Sequence, residues 1–198
     1  MTDNGERITG FDGLRGATAM AHLFLREVVR PGDRAVDATC GNGHDTLLLA
    51  QLVGPEGKVW GFDIQEQAMV ATAALLEGAG CTERVELRHA GHERLTASVF
   101  APVDAVVFNL GYLPGGDKGC VTSPHNTMAA LSQGIKLLAP GGRICISLYT
   151  GHPGGMEEAT AVESWAAGLP PKEFHVWSCR QMNRSPAAPY LIMVEKAH

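Results

Sequence analysis

Residues 104–110 read Asp-Ala-Val-Val-Phe-Asn-Leu, a near-continuous apolar run. A strand of this kind is buried on both faces, which places it inside a parallel sheet covered by helices. The rest of the chain alternates in the same sense. Strands are predicted at 34–37, 58–64, 85–89, 104–110 and 143–148, and helices at 17–29, 45–52, 66–77, 123–138 and 156–167. A short helical segment is expected near 93–100. Pro140-Gly141-Gly142 is expected to stop the fourth helix. Two further strands, 173–177 and 190–195, form a closing hairpin. Five strand–helix units and then two strands describe a doubly wound α/β fold: seven strands, mostly parallel, with the last antiparallel. The whole chain, 1–198, is expected to form one domain, with 1–15 as a flexible extension. An exposed apolar patch on the 17–29 helix would permit a homodimer.

Composition narrows the function classes. The net charge is −5, which argues against broad, non-specific nucleic-acid binding and leaves room for a local basic patch. Cys40, Cys81, Cys120, Cys145 and Cys179 are odd in number and scattered, without a Cys-x-x-Cys pair, which points to a reducing cytoplasm. No apolar run is long enough for a membrane span, and residues 1–13 lack a signal-peptide core, so no membrane partner is expected. Gly-His recurs at His44, His92 and His152, but without the tight ligand spacing of a zinc site, so no metal is expected.

In a doubly wound sheet, ligands lie beyond the carboxyl ends of the strands. The first strand ends in Asp37-Ala38-Thr39-Cys40-Gly41-Asn42-Gly43-His44-Asp45-Thr46. Its two glycines allow close backbone approach to a ligand. Asp63 follows at the end of the second strand, where a carboxylate can accept both hydroxyls of a ribose. Ala90-Gly91-His92 ends the third, where an adenine edge would lie. Together these point to a nucleoside-containing cofactor. Asp45 stands where a dinucleotide site needs a third small residue, and its charge opposes a pyrophosphate. S-adenosyl-L-methionine has no phosphate and carries two cationic groups, which suits Asp37 and Asp45. A nicotinamide-dependent oxidoreductase and a non-catalytic cofactor-binding protein remain as alternatives at this point.

The fourth strand ends in Asn109-Leu110-Gly111-Tyr112-Leu113-Pro114-Gly115-Gly116-Asp117-Lys118. The Asn109 side-chain oxygen and the Leu110 carbonyl can accept hydrogen bonds from a target nitrogen, and Tyr112 offers a face on which a base can stack. The fifth strand leads to His152, a candidate substrate ligand or proton acceptor. The closing hairpin carries Arg180, Asn183 and Arg184, which with Lys118 can supply local phosphate contacts.

The first-strand loop, the 109–118 segment and Tyr149-Thr150-Gly151-His152 together resemble the rRNA methylase family of class I S-adenosylmethionine-dependent methyltransferases, over about residues 21–196. The resemblance implies a Rossmann-like fold and a tRNA substrate, read at the anticodon. Bacterial members methylate 5-aminomethyl-2-thiouridine at the wobble position. It further implies cofactor contacts from the 37–46 loop, from Asp63 with Gln65, from His92 and from Asn109. The acceptor pocket it implies comprises Asn109, Leu110, Gly111, Tyr112, Leu113, Pro114, Gly115, Gly116 and Asp117 with His152. Asp117 and His152 are its candidate proton acceptors. Thr39 occupies the place where the general methyltransferase loop carries its first glycine. Methylation of rRNA or of a small-molecule amine is the alternative within this class.

Overall fold

The computed structural model describes residues 15–100, 102–113, 115–116 and 119–198. Pro114, Asp117, Lys118 and most of the expected amino-terminal extension lie outside these residues. In chain order the elements are α1 (Gly16–Val28), β1 (Arg34–Asp37), α2 (His44–Val53), β2 (Lys58–Asp63), α3 (Glu66–Gly78), β3 (Val85–His89), β4 (Val103–Leu110), α4 (Pro124–Leu137), β5 (Leu138–Leu148), α5 (Gly155–Ala167), β6 (Phe174–Cys179) and β7 (Tyr190–Lys196). Two short 3-10 turns, Thr82–Arg84 and His92–Ala97, flank β3.

The seven strands run in the order β3-β2-β1-β4-β5-β7-β6. The first five pair in parallel, β7 is antiparallel to both of its neighbours, and β6 is therefore parallel to the first five. The chain moves outward from β1 in one direction and from β4 in the other. These two strands are neighbours, with Val36 opposite Val106, so the topological switch point lies at their carboxyl ends.

Alternate side chains of each central strand serve opposite cores, which explains the continuous apolar runs. Val36, Phe62, Val106, Phe108 and Ile146 pack toward α4 and α5. Ala35, Val59, Ala105, Val107 and Cys145 face α1, α2 and α3. At roughly 25 cal/mol per Å² of buried apolar surface, Phe62 or Phe108 alone contributes on the order of 3 kcal/mol. β6, one of the two edge strands, is largely exposed, including Trp177.

Two expected boundaries shift. β5 starts at Leu138, because the chain re-enters the sheet directly from α4 and carries Pro140-Gly141-Gly142 as a bulge. Val103 pairs with Leu138, and Ala105 already pairs with Arg143. The segment after β3 is a kinked 3-10 turn and not a regular helix. α4 begins as expected: the Ser123 side chain caps it by accepting from the Asn126 N–H, with Pro124 in the first turn.

Candidate active site

Asp37 closes β1 and is wholly buried. Its Oδ1 accepts the Thr39 N–H at 3.0 Å and its Oδ2 accepts the Thr46 hydroxyl at 2.6 Å. Burial foremost, and then the nearby Asp45 charge, push its pKa up to about 7. Asp37 thus staples the loop from beneath. The Gly41 N–H and the Gln65 N–H each donate to Asp63, at 2.9 Å, so the carboxylate ties the first loop to the end of β2. An ionised carboxylate offers about four acceptor positions, which leaves room on Asp63 for a diol. Gly43 has a φ of +84°, and a Cβ there would fall 2.9 Å from the Thr72 Cα. This glycine is what lets α3 approach the loop.

A cleft opens at the switch point. Ala38, Thr39 and Gly41 form one wall; Asp63, Ile64 and Gln65 form the next; residues 90–93 and Asn109, Gly111, Tyr112 and Leu113 complete it, with residues 120–123 and Asn126 across the mouth. Of the expected cofactor residues, the structure brings Thr39, Gly41, Asp63, Gln65, His92 and Asn109 together here. Asp37, Asn42, Gly43, His44, Asp45 and Thr46 do not line the cleft. Asp37 and Asp45, expected to suit a cationic cofactor, are both buried, each accepts from two protein donors, and neither lines the cleft.

His92 is buried and donates from Nδ1 to the Ala38 carbonyl at 3.2 Å, with its ring edge-on to Phe108. Burial lowers its pKa, so it stands in the wall as a neutral imidazole.

Asn109 sits near the carboxyl end of β4, half-buried. Its backbone N–H donates to Thr39 Oγ1 at 2.7 Å, which gives a threonine at that loop position a specific task. Its side-chain Nδ2 donates to Asp45 Oδ2 at 2.6 Å, and the other Asp45 oxygen meets His22 Nε2 of α1 at 2.5 Å.

Beyond Asn109 the chain makes an excursion over residues 111–123, closed at its base by a Tyr112–Val121 bridge and by the Thr122 N–H donating to the Gly111 carbonyl at 2.9 Å. Leu113 is buried, within reach of Gly41, and packs against Gly116 beside the positive-φ Gly115. Glu158, 1% exposed, anchors this excursion from α5: it accepts the hydroxyls of Thr122 and Thr127, each at 2.6 Å.

Tyr112 is 43% exposed and lines the cleft. Its ring stands edge-on to His152 at 6.1 Å between centroids. His152 Nδ1 donates to the Pro153 carbonyl at 3.0 Å, so Nε2 is the acceptor nitrogen; it is buried and has no partner among the described residues.

Arg180, one of the expected phosphate contacts, is about half exposed, with its guanidinium paired to Glu163 and stacked 3.3 Å from the Tyr190 ring centroid. Asn183 and Arg184 are exposed on the hairpin, which Thr150 holds to the end of β5 through the Ala187 carbonyl at 3.1 Å.

Residues 59–195 match the model of the family described as "Putative rRNA methylase". The chain belongs to this family. It is 40% identical over 194 residues to the tRNA (mnm(5)s(2)U34)-methyltransferase, chloroplastic, of Arabidopsis thaliana, covering 93% of this chain and 70% of that protein. Among solved structures, an rRNA methylase from Clostridium thermocellum superposes with a TM-score of 0.90 at 40% identity, over 93% of this chain and 99% of its own. A Streptococcus mutans methyltransferase in complex with S-adenosylhomocysteine superposes at 0.84 and 34% identity, over 93% and 99%.

The chain is an S-adenosyl-L-methionine-dependent methyltransferase, and the donor set of its cleft fits that cofactor. Asp63 retains acceptor positions for a ribose diol, Ile64 is an exposed apolar surface beside it, and among the described residues no lysine or arginine lines the wall. Ile64, Glu93, Asn126, His22 and Glu158 are not read as site residues from the sequence, and Ser123 is read there only as a helix cap. The signal for His22 was present: with Thr18 it forms a polar i, i+4 pair beside the apolar Ala17, Ala21 and Leu25 of α1, and Thr18 bonds the Tyr149 hydroxyl at 3.0 Å.

Proposed function

We propose that this methyltransferase acts on tRNA in the cytoplasm, methylating the aminomethyl nitrogen of 5-aminomethyl-2-thiouridine at the wobble position. The observation that carries this is Asn109, held near the end of β4 with its amide N–H turned inward to Asp45, so that its carbonyl oxygen is left to accept from an amine. The name of the Arabidopsis relative supports the choice of acceptor.

An alkylammonium resembles lysine, with a pKa of about 10.4, so only on the order of one in a thousand is neutral at pH 7. Reaching the nucleophilic form costs roughly 4–5 kcal/mol. Acceptors at Asn109 Oδ1 and the Leu110 carbonyl orient the amine's hydrogens and aim its lone pair at the cofactor, while Tyr112 stacks on the base. The cofactor supplies an electrophilic sulfonium methyl. His152, whose Nε2 is buried behind Gly111 and unpaired among the described residues, does not line the cleft and serves as proton acceptor only if Gly111 gives way; Asp117, the other expected acceptor, lies outside those residues. Arg184, at the exposed hairpin, contacts backbone phosphate.

Nucleoside mass spectrometry tests this. Methyl-deficient tRNA and rRNA are incubated with the protein and S-adenosylmethionine. The expected result is one added methyl on aminomethyl-thiouridine. Methylation of rRNA alone, or of neither RNA, overturns the assignment of the acceptor.

A further inference from the structure

Asn109 presents two chemically opposite ends, and a half-turn about its terminal torsion exchanges them. Only one orientation offers an acceptor to an amine. Three contacts bear on which orientation is held. Asp45 is 6% exposed and, as a carboxylate, can only accept. Reversing the Asn109 amide would set oxygen against oxygen at the present 2.6 Å separation. The second Asp45 oxygen is occupied by His22 Nε2 at 2.5 Å, in the tautomer that places the hydrogen on that nitrogen, so the carboxylate cannot swing away from Asn109 without abandoning His22. The Asn109 backbone is fixed independently by Thr39 Oγ1. His22 is carried on α1, where Thr18, one turn earlier, bonds the hydroxyl of Tyr149, the residue that follows β5.

We propose that His22 and Asp45 are positioning residues for methyl transfer: the pair clamps the donor end of the Asn109 amide so that its carbonyl oxygen faces the acceptor amine. The proposal rests on the N-methylation assigned above for what Asn109 addresses. The clamp itself is a property of the chain without cofactor or RNA.

Two measurements test it. In protein labelled with ¹⁵N-asparagine, the Asn109 side-chain resonances are identified by their loss in Asn109→Ala. One Nδ2 proton is expected well downfield of ordinary side-chain amides, and it moves back toward them in Asp45→Ala and His22→Ala. Ordinary shifts in the wild type overturn the clamp. In single-turnover methyl transfer to tRNA, Asp45→Asn and His22→Ala are expected to lose about tenfold or more, the size of effect that misplacement produces. Affinity for S-adenosylhomocysteine changes by less than about threefold. In an Asn109→Ala background neither substitution costs anything further, because both act through that amide. Losses that persist in that background, or that follow cofactor affinity, make the pair a brace for the fold and overturn the proposal. Should Asp45→Ala fail to fold, His22→Ala, at a partly exposed position, carries both measurements. A wild type that transfers no methyl to tRNA overturns the proposed function, and the resonance measurement still decides the clamp.

Discussion

Asn109 near the end of β4 donates its side-chain N–H to Asp45 in the first turn of α2 across 2.6 Å, joining the central strand at the cleft to the helix that follows the first-strand loop. A charge-assisted bond between two poorly solvated groups is strong in one sense of donation and repulsive in the other. Asn109→Asp is therefore expected to set two carboxylates against each other and to destabilise the protein by about 2–4 kcal/mol. Asp45→Asn in the same chain restores a donor and an acceptor and recovers most of that loss. Urea denaturation of the single and double variants checks this; equal destabilisation in both would contradict it.

Asp37 makes stability depend on pH. Its pKa lies near 7 in the folded chain against an ordinary 3.8, so between these values the native state holds a proton that the unfolded chain has released. Stability from this group therefore falls as pH rises through that window. Asp37→Asn can keep both hydrogen bonds, with the Thr46 hydroxyl turned to accept, and has nothing to ionise. Relative to the wild type it is expected to gain stability steadily from about pH 4 to 7, by up to about 4 kcal/mol. Denaturation midpoints across that range read this directly, and a difference that does not change with pH would remove the assignment.

Glu158 holds the excursion over the cleft by accepting two threonine hydroxyls. Glu158→Ala leaves both without an acceptor and is expected to cost about 2–4 kcal/mol. Hydrogen exchange at the Thr122 amide, now bonded to the Gly111 carbonyl, is expected to accelerate well beyond the global loss. Unchanged protection there would show that the bridge at Tyr112 and Val121 suffices alone.

Ser147 lies in register between Asn109 on β4 and Leu191 on β7, fully buried, and its hydroxyl has no partner among the described residues. Ser147→Ala is expected to stabilise the protein by about 1 kcal/mol, since it removes a desolvated group and no bond. A thermal midpoint below that of the wild type would contradict this.

The central strands were legible because burial on both faces leaves a short apolar run bounded by turns, as at residues 104–110. The wall residues Asp63 and Asn109 were legible because they stand at the ends of such runs. What the carboxylates do was not. Asp45 carries a charge that sequence can assign to a cationic ligand as readily as to a protein partner, and its partners stand 23 and 64 residues away. Arg180 reads as a free cation until folding brings Glu163 and Tyr190 to it. The Pro140-Gly141-Gly142 bulge escaped for a related reason: a helix stop and a bulge share one composition, and only pairing with β4 separates them.

The most direct test of the account compares wild type and Asn109→Ala in single-turnover transfer of labelled methyl from S-adenosylmethionine to aminomethyl-thiouridine tRNA, with S-adenosylhomocysteine binding measured alongside. The account predicts that transfer falls by about a hundredfold or more while cofactor affinity stays within about threefold. An Asn109→Ala protein that transfers methyl at the wild-type rate would contradict it.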